Sequence, residues 1–191
     1  MEVTEAINKR RAYRSLDPVI ITEELINDLA THAGLAPSCF NNQPWRYIFV
    51  YDPVVLKQMH TVLSKNNDWV QKASLIIVVC SKKEYDCVMK DGREYYQFDT
   101  GMATAFLILR AAELGLVAHP IAGYNPKKTQ EILGIPDDLN IITLVNVGKH
   151  ADTPNELLSK QQATGEKMRP ERKPLNEFVY RNRYPSEKNQ M

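Results

Sequence analysis

The sequence predicts one domain of mixed helices and strands built around a sheet, and three observations carry that expectation. Ser74 to Cys80 is a continuous apolar run of strand length, the pattern of a strand covered on both faces and central in its sheet. Arg46 to Tyr51, rich in Tyr, Ile, Phe and Val, alternates as a strand does, and Ile141 to Val147 reads as the last strand. Helical patterns separate these stretches, most strongly from about Tyr95 to Leu114. At 191 residues the chain is long enough to bury a sizeable single core.

Taken in order, Thr4 to Tyr13 reads as a first helix with Thr4 as N-cap, ending in the cations Lys9, Arg10, Arg11 and Arg14. Asp17-Pro18 breaks the chain. Thr22 opens a second helix with Glu23 and Glu24 in its first turn and Leu25, Leu29 and Ala33 as an apolar stripe; Gly34 and Pro37 stop it. After a polar loop and the Arg46 strand, Asp52-Pro53 caps a third helix that buries Leu56, Met59 and Leu63. Asn66 to Lys72 is a loop or short helix. The Tyr95 helix is apolar on more than one face, so burial in the core or against a second subunit is expected, with Gly115 as its C′ stop. Val117 to Ile121 is a short strand, Gly123 lets the backbone turn or approach a ligand, and Asn125-Pro126 begins a helix that closes at Gly134.

From Lys149 the composition turns polar and charged, with prolines at 154, 170, 174 and 185. Such a tail cannot build its own core and is either disordered or laid along another surface. Arg169, Arg172 and Lys173, followed by Pro174-Leu175, favour the second. The expected division within one domain is a core of residues 1–148 and a C-terminal extension of residues 149–191.

Lys plus Arg number 24 and Asp plus Glu 23, a net charge of +1, which excludes a broad basic field for gripping nucleic acid or an anionic membrane. No apolar stretch approaches the ~20 residues of a spanning helix, and Met1 to Lys9 is mixed and polar, so a soluble cytoplasmic protein is expected. Cys39, Cys80 and Cys87 make an odd count with no Cys-x-x-Cys pair, which argues against a disulfide framework and against a zinc site. His32, His60, His119 and His150 are scattered and read as surface or packing residues. No metal is expected.

The chemically loaded stretch is Ala36 to Trp45, Ala-Pro-Ser-Cys-Phe-Asn-Asn-Gln-Pro-Trp. Pro37 and Pro44 fix φ at their own positions and push Ala36 and Gln43 toward extended geometry, so Ser38, Asn41 and Gln43 lose less entropy when aimed at a ligand. A turn whose side chains bond their own backbone is the other reading. The phosphate, dinucleotide, nucleophile-elbow and zinc-protease motifs are all absent, and none of the 8 glycines lies in a rich loop. A phosphate would therefore be held by arginine forks, from Arg10, Arg11 and Arg14 or from Arg169 and Arg172 beside Lys173. Arginines, an amide-rich loop and a glycine turn at Ala122-Gly123 would suit flavin mononucleotide (FMN), though composition only permits that assembly.

Arg10-Arg11-Ala12-Tyr13-Arg14, Ala36-Pro37-Ser38 and Asn41-Asn42-Gln43-Pro44-Trp45 resemble the nitroreductase family of FMN-dependent oxidoreductases. So do Ala111 to Leu116, Pro120-Ile121-Ala122-Gly123-Tyr124 and Arg172-Lys173-Pro174-Leu175, in the right order over nearly the whole chain. The resemblance implies a three-layer α+β fold, with a central mixed, largely antiparallel sheet flanked by helices. It also implies an intertwined homodimer with two flavins at the interface and a tail that embraces the partner. Carried over by position, Arg10 and Arg11 would face the phosphate and ribityl end and Arg14 the pyrimidine edge. Pro37, Ser38, Cys39 and Asn41 would come from the other subunit. Ile121, Ala122 and Gly123 would line the ring, Asn66 would lie near the pyrimidine, and Arg172 and Lys173 would close on the phosphate.

The sequence departs from the family at Ala12, where Ser is common, at Thr104-Ala105, where many members have Gln-Asn, at Ala122, where some are acidic, and at Trp69. The resemblance implies that NAD(P)H delivers hydride to the flavin N5 and that a nitroaromatic, a quinone or a similar acceptor takes the electrons by ping-pong turnover. No catalytic side chain is assigned. The alternatives are a specialised branch, such as reductive dehalogenation or flavin breakdown, and a flavin-binding sensor or carrier without turnover.

Overall fold

In the computed structural model, strand β3 (Leu75–Ser81) is buried along its whole length and paired on both edges, with β2 (Arg46–Val50) on one side and β5 (Asn140–His150) on the other. The structure describes residues 1–184; Pro185 and the rest of the expected extension to residue 191 lie outside the described residues. β4 (Leu116–Ile121) pairs with β5, and the two-residue β1 (Leu16–Asp17) pairs with its last residues. Every strand pairing among the described residues is antiparallel, so within this chain the sheet is antiparallel throughout rather than mixed.

The period-2 alternation of β3 builds two cores at once. Ile76, Val78 and Cys80 face a layer that includes Met59, Trp69 and Ile135, beneath helices α3 (Pro53–Met59) and α5 (Pro126–Leu133). Leu75, Ile77 and Val79 face Leu29 and Ala33 of α2 (Glu23–Gly34) and Leu107 and Ala111 of α4 (Tyr95–Glu113). The result is the expected three layers, helix on sheet on helix.

The expected caps form. The Thr22 hydroxyl accepts from Leu25 N–H, Asp52 accepts from Val54 and Val55 N–H, and Asn125 accepts from Lys128 N–H. Gly134 closes α5 in the left-handed region, at φ 64. The first helix differs. α1 spans Val3–Lys9 with Glu2, not Thr4, at its N-cap, and stops well short of Tyr13. Tertiary partners take the backbone beyond it: Glu166 Oε1 and Oε2 accept from Arg14 and Ser15 N–H at 2.9 and 3.0 Å, and His119 Nδ1 donates to Tyr13 O at 2.9 Å.

The extension is not wholly separate from the core. β5 runs to His150, Ala151 N–H donates to Ser15 O, and α6 (Lys160–Lys167) is held by a Ser159/Gln162 capping box, with Glu166 buried. Beyond it Leu175, Phe178 and Tyr184 are exposed, and α4 exposes Phe98 and Phe106. One cysteine expectation is overturned: Cys39 and Cys87 form a disulfide, while Cys80 is free and buried. An odd count rules out a complete framework but not a single bridge, and a sequence separation of 48 hides the pairing.

Two predictions concern this scaffold. Glu166→Ala leaves two partly buried N–H groups without an acceptor and should cost about 2 to 4 kcal/mol, read as a lower urea midpoint; an unchanged midpoint would show that α6 does not dock. His119, buried against the Trp69 ring at 4.7 Å, has its value pushed down by burial from 6.5 to about 4. The unfolded chain therefore binds the proton first as pH falls. Stability should be full above about 6.5 and decline toward about 4, by up to about 3 kcal/mol. Urea titrations across that window should lose the decline in His119→Gln.

Candidate functional site

The residues that follow α1 meet the C-terminal extension in a cationic corner. Burial lowers the Arg10 guanidinium from its ordinary value, and the neighbouring charges of Arg169 and Arg172 lower it further. Among the described residues, Arg10, Arg169 and Arg172 have no carboxylate partner. Arg169 Nη2 also donates to the carbonyls of Asn8 and Arg10, which ties the extension to the end of α1. Guanidinium forks match the geometry of phosphate and carboxylate oxygens, so anions are the ligand class such a corner can take.

Arg14 lines an open cavity of about 690 Å³ together with Gln161, Gln162, Thr164, Met168 and Arg169, within the size range of small-ligand sites. Arg11 is used differently. Its Nη2 donates to the Gly165 and Glu166 carbonyls at 2.9 and 3.3 Å, and its guanidinium lies 4.4 Å from the Tyr13 ring centroid. It braces the end of α6. Lys173 is exposed and pairs with Glu177 at 3.3 Å.

The cavity connects to the glycine turn through two amides. Gln162 Nε2 donates to Asn66 O at 2.8 Å, and Asn67 Nδ2 donates to Gly123 O at 2.9 Å. Asn66 is exposed at φ 74, a conformation Asn tolerates. A Cβ at Gly123 would run into Asn67 Nδ2, so a larger residue there would displace the Asn67 amide from its hydrogen bond to the Gly123 carbonyl. The Ile121 side chain belongs to the core, whereas Ala122 is exposed. Among the described residues, the N–H groups of Ala122 and Gly123 donate to no protein acceptor.

Pro37, Ser38, Cys39 and Asn41 lie elsewhere, on a loop joined to the start of α4, where Cys39 N–H donates to Asp99 Oδ2 at 2.7 Å. Gln43 is not extended. It sits at φ 49, beside Phe40 at φ 47 and Asn41 at φ 58. Ser38 Oγ accepts Gln43 N–H at 3.0 Å, and Gln43 Nε2 folds back onto Asn41; that capture overrides the preference imposed by Pro44. Ser38 keeps its O–H and Asn41 its amide donors. Phe40 is 91 % exposed. Among the described residues no hydrogen bond or ion pair joins this loop to the arginine corner.

Two contributors were missed by sequence reasoning: Gln162 and Asn67 are ordinary amides whose roles depend on packing.

The family model described as Nitroreductase family matches residues 7–68 and 57–149 of this chain. A protein of Archaeoglobus fulgidus described as an NADH dehydrogenase/NAD(P)H nitroreductase is 31 % identical over 160 residues, covering 79 % of this chain and 87 % of its own. An iodotyrosine deiodinase of Haliscomenobacter hydrossis is 26 % identical, with coverages of 79 % and 80 %. The crystal structure of an oxidoreductase containing FMN superposes with a TM-score of 0.83 at 26 % identity, over 97 % of this chain and 94 % of that one. With that family match running from before Arg10 to the last core strand, the chain belongs to the nitroreductase family.

Proposed function

We propose that the chain is an FMN-dependent NAD(P)H oxidoreductase that reduces nitroaromatic, quinone or similar small acceptors as a homodimer. The observation that carries this reading is the convergence of Arg10, Arg169 and Arg172 with no carboxylate to answer them. A phosphate monoester seated there relieves their repulsion through charge-assisted hydrogen bonds. FMN supplies the redox chemistry when bound, taking a hydride from NAD(P)H and passing electrons to the acceptor, which makes turnover ping-pong.

The chain's own residues bind and orient. Arg10, Arg169 and Arg172 hold the phosphate, with Lys173 at the rim and Arg11 bracing α6 behind them. Arg14 sets a cation beside the pyrimidine edge, where negative charge accumulates. Ala122 and Gly123 offer free backbone N–H groups to the ring edge, Ile121 supplies backbone and core packing, and Asn66 borders the pyrimidine side. Pro37, Ser38, Cys39 and Asn41 reach the flavin of the other subunit. The exposed Phe98, Phe106, Leu175 and Phe178 support a second copy as their cover.

A second reading has one specific support, the similarity to an iodotyrosine deiodinase, which favours reductive dehalogenation of a halophenol as the branch chemistry. Adding a halotyrosine as acceptor and measuring halide release distinguishes it from nitro and quinone reduction.

Two outcomes are expected. Purified protein should carry about one flavin per chain that bleaches on anaerobic NADH or NADPH and recovers its colour with a quinone; bound flavin that never bleaches would leave a binding protein, and none after incubation with FMN would sink the cofactor. Arg10→Ala should weaken FMN about 10- to 100-fold, the loss of a charge-assisted phosphate contact, measured by fluorescence quenching. Unchanged affinity would remove Arg10 from the site.

A further inference from the structure

Away from the arginine corner, four anionic-capable side chains from three segments meet behind the Ala36 to Trp45 loop. Cys39, Asp86 and Cys87 offer ligand atoms that lie within 4.8 Å of one another. Asp99, from the first turns of α4, joins them through its contact with Cys39 N–H and with Asp86. Asp99 is 1 % exposed and Asp86 8 %, and Asp99 Oδ1 and Asp86 Oδ2 are buried without any hydrogen-bond partner. No lysine, arginine or histidine among the described residues pairs with either carboxylate.

A buried carboxylate pair with empty lone pairs must share a proton or take a cation. The two sulfurs beside the pair decide what kind of cation fits. As a disulfide they are poor ligands; as thiolates they add two soft donors to two hard ones, a set suited to a tetrahedral zinc-class ion. An outer support is in place, since Asn42 Nδ2 donates to Asp86 Oδ1 at 3.3 Å and to Cys87 Sγ at 3.6 Å.

We infer that Cys39, Cys87, Asp86 and Asp99 form a redox-gated site for one zinc-class divalent cation, closed by the disulfide and opened by its reduction. The reductant is a dithiol. It delivers two electrons and two protons, the Cys39–Cys87 bond breaks into two thiols, and the dithiol leaves as its own disulfide. Cation binding then releases the two thiol protons, and any proton held between the carboxylates, to solvent.

The test uses the full chain with its native content of flavin and cobalt(II) as the probe. Protein reduced by excess dithiol, then freed of reductant and metal anaerobically, should take up one Co²⁺ per chain. It should show thiolate-to-cobalt absorption and the strong visible bands of a tetrahedral ion, both erased by Zn²⁺. The oxidised protein should show neither, and Asp86→Asn should weaken uptake by about tenfold or more. Cys87→Ser, which leaves Cys39 as the one thiolate, should lower the sulfur absorption by about half; if that variant fails to fold, the oxidised wild type serves as the sulfur control. Reduced, folded protein without cobalt–sulfur absorption, equal uptake by the oxidised form, or unchanged uptake by Asp86→Asn would overturn the site.

Discussion

The buried carboxylate of Glu166 joins the two ends of the chain, and the arginine corner depends on that joint. By accepting from Arg14 and Ser15 N–H it ends the helical tendency of the N-terminal segment and draws α6 onto the sheet. Arg11 then braces the carbonyls of Gly165 and Glu166, while Arg169 clasps those of Asn8 and Arg10. Backbone groups of each end are satisfied by side chains of the other. Bringing three guanidinium groups together is electrostatically costly, and this reciprocal bonding offsets the cost before any anion arrives.

Helix α4 sets the distance between the two groups of candidate residues. Asp99 in its first turns holds the Cys39 loop, and Glu113 in its last turn holds the N-terminal ammonium of Met1, ahead of α1. At 1.5 Å per residue those two anchors stand roughly 20 Å apart. The Cys39 loop and the chain's N-terminal ammonium are therefore held toward opposite ends of one helix, which also exposes Phe98 and Phe106.

Much of the scaffold was legible because its signals are local. The caps at Thr22, Asp52 and Asn125, the stop at Gly134 and the double-sided burial of β3 follow from residue types at fixed offsets. The end of α1 was not legible, because the groups that capture Tyr13, Arg14 and Ser15 come from His119 and Glu166, far along the chain. The same holds for the site. Gly123 announced a close approach, but the atom that approaches is Asn67 Nδ2; the basic ends announced a phosphate, but Arg11 turns its fork onto α6. The single disulfide was concealed by an odd cysteine count, which excludes full pairing and is silent about one pair.

The loop itself shows why its polar residues serve both readings that composition left open. Left-handed geometry at Phe40 and Gln43 costs on the order of 1 kcal/mol or more per residue and persists only where neighbours over-determine it. Three of the restraints that do so are Ser38 Oγ on Gln43 N–H, Asp99 on Cys39 N–H, and the Cys39–Cys87 bond. The first uses the acceptor of Ser38 and leaves its donor, so the turn and the ligand surface are the same construction. The third differs in kind, because it is covalent and reversible. Breaking it leaves the strained residues held by hydrogen bonds without a covalent tie, so the chemical state of the sulfurs sets how firmly this loop keeps its shape.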